Sequence, residues 1–281
     1  MSEPEFQTIR CEQPAPGVAR IVLARVDARN AQDKRMTYEL NEAFDRAARD
    51  NDVKVIVLSA DGPHFSSGHD LRDGSKVSDF ETVGTWGGFD LPGAEGHMAV
   101  EHEIYLGMCW RWRNLPKPTI AQVHGKTIAG GLMLMWVCDL VIASEDATFS
   151  DPVVAFGVNG VEYFAHPWEL GVRKAKEMLF TGQAVSAAEA HALGMVNHVV
   201  PRAELEKFTL ELAQRIASRP SMGLKLAKQS VNQAQDAQGF WTALQAAMSL
   251  QQLGHSHNAQ VHGMIVDPRG AEVIRREAKG G

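Results

Sequence analysis

The segment His124-Gly125-Lys126-Thr127-Ile128-Ala129-Gly130-Gly131-Leu132 limits what this chain can fold into more than any other stretch. An apolar, β-branched run, Thr119-Ile120-Ala121-Gln122-Val123, leads into it. Met133-Leu134-Met135-Trp136-Val137-Cys138-Asp139 leaves it with hardly a polar side chain. This order predicts a strand, a glycine turn and a short buried helix inside an α/β core. Glycines let backbone approach a ligand closely, and the first-turn N–H groups of a helix have no intrahelical acceptor. Such a turn can hold a negatively charged oxygen, aided by the helix dipole. Taken alone, the glycine pair is better explained as a tight scaffold turn. A second glycine turn, Phe65-Ser66-Ser67-Gly68-His69-Asp70-Leu71, makes the ligand reading worth pursuing.

The chain has 281 residues, enough for a large core with a trailing subdomain. Its 44% hydrophobic and 22% charged residues are those of an ordinary soluble globular protein. A net charge of −6 without a basic stripe argues against nucleic acid as the main partner. A small anionic ligand, which needs only a local cluster, stays open. Met1 to Arg10 lacks the apolar core of a signal peptide, and no run approaches a membrane span. Cys11, Cys109 and Cys138 lie far apart without CxxC spacing, and the last two read as buried thiols. A reducing cytoplasm is the expected compartment.

Along the chain, Gly17 to Leu23 and Val53 to Ser59 read as strands. Between them an amphipathic helix carries Leu40, Phe44, Ala47 and Ala48 on one face, with Thr37 expected as its cap. Strand, helix, strand at this spacing predicts a right-handed crossover. From Arg72 to about Met98 glycine and acidic residues dominate without periodicity, as in a lid, a binding loop or a surface insertion. Helical spacing follows from Glu101 to Arg113 and stops at Leu115-Pro116-Lys117-Pro118. Asp139 to Ala143 and Asp146 to Phe149 read as short strands, and Asp151 to His166 as a loop with a helix start. Ser186-Ala187-Ala188-Glu189 is a capping box whose helix should stop at Gly194. Asn197 to Val200 is a last strand. Leu205, Phe208, Leu212 and Ile216 then stripe a helix, and Met222 to His255 is helical with an interruption near Gln238-Gly239. The division expected is a core over 1–200 and a helical region over 201–281.

Each glycine turn follows a strand, and each could offer a backbone N–H to a common point. Two convergent donors make an oxyanion hole, which stabilises the oxygen of an enolate or a tetrahedral intermediate. That chemistry suits a thioester. Asp27-Ala28-Arg29-Asn30-Ala31, Phe65 through Leu71 and His124 through Asp139 together resemble the crotonase superfamily, the enoyl-CoA hydratases and isomerases. Phe149 with Gly157, the capping-box segment to Asn197 and the helical C-terminus follow in the family's order, so the resemblance covers nearly the whole chain.

The resemblance implies an α/β fold, a spiral of ββα units, with C-terminal helices that build a homotrimer or a dimer of trimers. It places the oxyanion donors on the N–H groups of His69 and Gly130. It also lays CoA along Ala28, Ser67, His69, Asp70, Leu71, Arg72 and Gly130, as substrate, with no other cofactor. The chain departs from the family at both glutamates that add water to the double bond. Met133 stands at one position and Val153 at the other, and neither can carry a proton. Glu162, five residues past Gly157, lies one residue beyond the single catalytic glutamate of some family isomerases. It is the first substitute, or else a salt-bridged acid at a helix start. Asp151, just before Pro152, is the second, or else a cap or structural acceptor. Asp70 is expected to brace the oxyanion turn. Tyr163 and His166 read as packing or loop residues, and Trp86 and Phe89 as hints of a bulky acyl group. No metal is expected, and His255, His257 and His262 read as a solvated cluster.

The activity expected is enoyl-CoA hydratase or isomerase chemistry through a thioester enolate, with a non-standard carboxylate moving the proton. Hydrolysis of a CoA thioester or a β-diketone would use the same hole. A binding protein that has lost catalysis is the third possibility.

Overall fold

The structure, a computed structural model, describes residues 6–280, with side chains through 276. The first five residues of the Met1–Arg10 segment lie outside this range. Strands β1 (Ile9–Ala15) and β2 (Val18–Leu23) form an antiparallel hairpin at one edge of a six-stranded sheet. Helix α1 (Lys34–Arg49) then crosses to β3 (Val55–Ala60), which pairs parallel with β2. This is the crossover the sequence predicts. Asp33, and not Thr37, caps α1: its carboxylate accepts from Met36 N–H at 2.8 Å, while the Thr37 hydroxyl turns inward to the Asp33 carbonyl. Strands β4 (Thr119–Val123), β6 (Leu140–Ser144) and β9 (His198–Val200) complete the sheet in parallel, in the order β1-β2-β3-β4-β6-β9.

A second, three-stranded sheet is built from β5 (Lys126–Ile128), β7 (Thr148–Ser150) and β8 (Val185–Ser186). The periodicity of the sequence misses β5, because it is three residues long and only two residues separate it from β4. The chain therefore passes from one sheet to the other at His124-Gly125. Helix α4 (Gly130–Trp136) leaves β5 directly, and all seven of its residues are buried. Each pair of strands followed by a helix repeats this ββα pattern.

The irregular stretch is shorter than the sequence suggests. Helix α2 (Ala94–Glu101) begins within it and continues through a π-helical turn, His102–Gly107, into α3 (Met108–Arg113). A side chain at Gly107 would sit 2.4 Å from the His102 carbonyl, so this widened turn requires glycine. The loop before α2 is held down by the buried Glu103, which accepts from Val83 N–H at 2.6 Å and Gly84 N–H at 2.9 Å.

Helices α5 (His166–Thr181) and α6 (Ala187–Leu193) follow β7, with Ser186 capping α6 and Gly194 ending it in the left-handed region. Helix α7 (Leu205–Ala217) packs Leu205, Leu212 and Ala213 against Val55, Val57 and Ile120 of the large sheet. The left-handed Gly239 separates α8 (Ser221–Ala237) from α9 (Phe240–His262). Helix α9 sends Phe240, Leu244 and Met248 into the main core, and the chain ends in α10 (Gly270–Gly280). Helix α8 buries no apolar side chain and leaves Met222, Leu226 and Val231 exposed.

Candidate active site

The two glycine turns meet between the sheets. Ser66 makes a parallel bridge to Thr127, with Ile128 N–H donating to the Ser66 carbonyl at 3.0 Å. The contact is so close that side chains are excluded from three positions. A methyl at Gly68 would lie 2.8 Å from the Ile128 carbonyl oxygen and 3.2 Å from the Gly130 nitrogen. One at Gly131 would lie 2.8 Å from the Ser66 carbonyl oxygen. One at Gly130 would strike the His69 imidazole at 2.4 Å.

Both turns present a backbone donor. On the outer side, Gln32 N–H donates to the Gly68 carbonyl at 2.8 Å and Asp70 N–H to the Gln32 carbonyl at 2.9 Å. A parallel bridge of this register directs the N–H of the intervening residue, His69, to the opposite side. Gly130 opens α4, so its N–H has no intrahelical acceptor. The residue before it, Ala129, is held at φ 48° and ψ −117°. A non-glycine residue there stores about 1–3 kcal/mol of strain, a cost that clusters at functional turns.

The first turn is braced by the Asp27–Ala31 segment. Arg29 and Asn30 both adopt positive φ. Ser66 Oγ donates to the Asn30 carbonyl at 2.7 Å, and Ser67 N–H to the Arg29 carbonyl at 3.1 Å. Ser67 Oγ reaches the Ala28 carbonyl at 3.4 Å. Asp70 accepts from Arg72 N–H at 3.1 Å and pairs with Arg25 at 3.0 Å, a bracing role for its carboxylate. Leu71 and Arg72 stand exposed at the mouth.

Behind the turns lies a cavity of about 510 Å³, walled by Ser67, His69, Ala129, Val153 and Glu162 among others. Glu162 sits on its wall, 5% exposed. Gln251 of α9 donates to its Oε1 at 3.4 Å. Its Oε2 has no hydrogen-bond partner in the protein and faces His69 Nε2, equally unpartnered, at 3.7 Å. That separation is too long for a hydrogen bond. Burial, reinforced by the charges of Glu101 and Asp151, raises the Glu162 carboxyl well above the usual carboxylate range. Burial pushes the His69 imidazole down to about 4. Burial therefore favours the neutral form of both groups that flank the gap. The imidazole is fixed by stacking on Tyr105, ring centroids 3.9 Å apart, in the π-helical turn.

Asp151 is differently placed. It is fully buried and spends its oxygens on the N–H groups of Val153 (3.2 Å) and Val161 (3.0 Å) and on His166 Nε2 (2.8 Å). Through Val161 it fixes the backbone next to Glu162, and His166 in turn packs edge-on against Trp136 of α4. Met133 is buried in the core, and Tyr163 packs edge-on against Phe240.

Three readings from the sequence change. Trp86 stacks on His102 (centroids 4.3 Å), and neither it nor Phe89 walls the Glu162 cavity. His255 is 7% exposed, not solvated, because α9 turns that face inward. Tyr105, Gln251 and Glu101 went unrecognised. The signal for Gln251 was present, since the buried face Leu244, Met248 of α9 runs on at helical spacing into Gln251, His255 and Asn258. A polar continuation of a buried stripe marks a polar wall.

The sequence profile of the family Enoyl-CoA hydratase/isomerase matches residues 13–266. The chain belongs to this family, within the crotonase superfamily. A Mycobacterium tuberculosis protein, EchA13, provisionally named an enoyl-CoA hydratase, is 47% identical over 267 residues, covering 92% of this chain and 84% of that one. The human mitochondrial enoyl-CoA hydratase domain-containing protein 3 is 36% identical over 215 residues, 74% of this chain and 65% of that one. Among solved structures, a probable enoyl-CoA hydratase from Mycobacterium smegmatis superposes with a TM-score of 0.84 at 48% identity, covering 92% of this chain and 98% of that one. An enoyl-CoA hydratase/isomerase from Xanthobacter autotrophicus Py2 does so at 0.81 and 30% identity, over 99% and 100%.

The folded protein holds the Glu162 proton more tightly than the unfolded chain does. Stability should therefore fall as pH rises from the ordinary carboxylate range through the raised folded value. Glu162→Gln cannot ionise, so its Tm relative to the parent should climb as pH rises above the ordinary carboxylate range in a series of thermal melts. A constant difference would show that Glu162 ionises as it does in the unfolded chain.

Proposed function

We propose that the chain acts on an enoyl-CoA thioester, with its carbonyl oxygen between the N–H groups of His69 and Gly130 and Glu162 moving the proton. The observation that carries this is the pair of buried, unpartnered atoms, Glu162 Oε2 and His69 Nε2, facing each other across 3.7 Å beside both turns. CoA itself is assigned to Ala28, Ser67, Asp70, Leu71 and Arg72, which run from the bracing segment to the exposed mouth.

In isomerisation the ionised Glu162 takes a proton from one carbon of the acyl chain. The electron pair moves onto the thioester oxygen, which the two N–H groups stabilise as a dienolate. The carboxyl then returns the same proton to the carbon two positions along, so nothing is gained or lost. With Met133 and Val153 at the family's two glutamate positions, this one-carboxylate route is the leading assignment. Asp151 acts as a positioning residue, holding the segment that carries Glu162.

Addition of water is the second reading, because burial favours a proton on Glu162 and disfavours one on His69. A neutral imidazole can take a proton from water while a protonated carboxyl gives one to the α carbon, the division of labour that hydration needs. The two readings part in their pH dependence. Isomerisation requires ionised Glu162, so kcat/KM rises with pH through the raised value, whereas hydration requires the protonated form and falls.

Three further assignments accompany this. Helix α8, with no buried apolar side chain, and the exposed Leu250 and Leu253 of α9 support a homotrimer or a dimer of trimers. No helix among the described residues is long and apolar enough to cross a membrane. The buried Cys109 thiol, raised well above its ordinary value by burial, accords with a reducing cytoplasm.

Glu162→Gln should lower turnover of enoyl-CoA esters at least about 100-fold, the usual range for a general acid or base, while acyl-CoA binding by calorimetry is retained. Full activity in that variant would overturn the assignment. NMR of the products separates a shifted double bond from a 3-hydroxyacyl ester, and release of free CoA would mark hydrolysis instead. Light scattering should give a mass of three or six chains, and a monomer would remove the oligomer assignment.

A further inference from the structure

Helix α2 carries His97 and Glu101 four residues apart, on one face of the helix. Helix α9 brings His255 against them. Glu101 Oε1 lies 3.2 Å from His97 Nε2 and 3.1 Å from His255 Nε2, and the three atoms all fall within 4.8 Å of one another. Neither imidazole nitrogen is aligned for a hydrogen bond, and both are buried without a protein partner.

The tautomer of His255 is set from the other side. Its Nδ1 lies 2.7 Å from the Ile265 carbonyl, which can only accept, so Nδ1 bears the hydrogen. Glu101 raises the His255 imidazole above its ordinary value, and whenever His255 is neutral its Nε2 lone pair faces a carboxylate oxygen that also has only lone pairs. Lone pairs converging at 3.1–3.2 Å in a buried place repel unless a positive charge stands between them. Ligand atoms about 2.0–2.1 Å from a tetrahedral zinc ion are about 3.3–3.4 Å apart, close to the two carboxylate–imidazole spacings, and the two imidazole nitrogens, within 4.8 Å of each other, would draw together on the ion.

We propose that His97, Glu101 and His255 form a site for a divalent transition-metal ion of the zinc class, with its fourth position open to the cavity that holds Glu162. The outer contacts are those of a metal centre. Gln252 donates to Glu101 Oε2 at 2.5 Å, and the Ile265 carbonyl orients His255. Two imidazoles and one carboxylate suit zinc, cobalt or iron better than magnesium or calcium. His97 and His255 wall both the Glu162 cavity and a neighbouring one of about 560 Å³, which gives an ion a route in and leaves the open position room for water or a ligand oxygen. Three protein ligands with one open position is the arrangement of zinc sites that handle ligands, whereas closed four-ligand sites are structural. The site does not depend on the enoyl-CoA assignment, since metal uptake is read without turnover.

The full-length protein, stripped with a chelator, is titrated with Zn²⁺ by calorimetry near neutral pH. One ion per chain with a Kd below about 1 µM is expected. His97→Gln and His255→Gln should each weaken uptake at least about 100-fold, beyond the loss seen when an outer-shell partner is removed. Their melting curves without metal should match the parent's. Absence of saturable uptake, or uptake unchanged in both variants, would overturn the proposal. Should either variant fail to fold, X-ray absorption on the zinc-loaded parent decides: two imidazoles at about 2.0–2.1 Å support the site, and a shell without imidazole removes it.

Discussion

Everything in this molecule that bears on chemistry depends on two backbone turns lying in contact. Gly68 faces the Ile128 carbonyl and the Gly130 nitrogen, and Gly131 faces Ser66, at distances where a single methyl group would collide. The contact exists because the chain changes sheets at His124-Gly125, which swings β5 alongside Ser66. It carries a cost in backbone strain at Ala129. What the strain maintains is an N–H at the head of a helix whose sides are wholly apolar. That helix has no alternative place in the fold, so the donor stays where the sheets put it.

The second constraint is electrostatic. Burial and the fields of Glu101 and Asp151 raise the carboxyl on the cavity wall well above the usual carboxylate range, whereas burial lowers the imidazole beside it to about 4. The difference arises from one cause, burial, acting on groups of opposite charge type. Asp151 meets the same burial by a different means, with two backbone N–H donors and His166 around it. One acid of the loop between β7 and α5 is thus fully engaged and the other left with an open oxygen. The cavity wall thus carries one carboxyl with an open oxygen and, beside it, a histidine stacked on Tyr105.

Much of the fold could be read from sequence because its signals are local. The β2-α1-β3 crossover, the Ser186 cap, the Gly194 stop and the Gly239 break each rest on a few adjacent residues, and all are present. The two glycine turns were legible for the same reason. What stayed hidden depends on distant partners. Three-residue β5 has too few residues to show a period. Thr37 and Asp33 compete for one cap, decided by packing against Gln32. Tyr105 becomes part of the site only because a π-helical turn rotates it onto His69. His255 belongs with His97 and Glu101 only once α9 has closed over α2. Charge and spacing along the chain say nothing of such meetings across it.

The vibrational frequency of the thioester carbonyl in a bound enoyl-CoA tests the central claim most directly. Two N–H donors aimed at that oxygen draw charge onto it and weaken the C=O bond. Infrared difference spectra should show the band moved to lower frequency than in solution, and moved equally in Glu162→Gln, where the donors remain. A bound thioester whose carbonyl absorbs as it does in water would contradict the claim that His69 and Gly130 form an oxyanion hole.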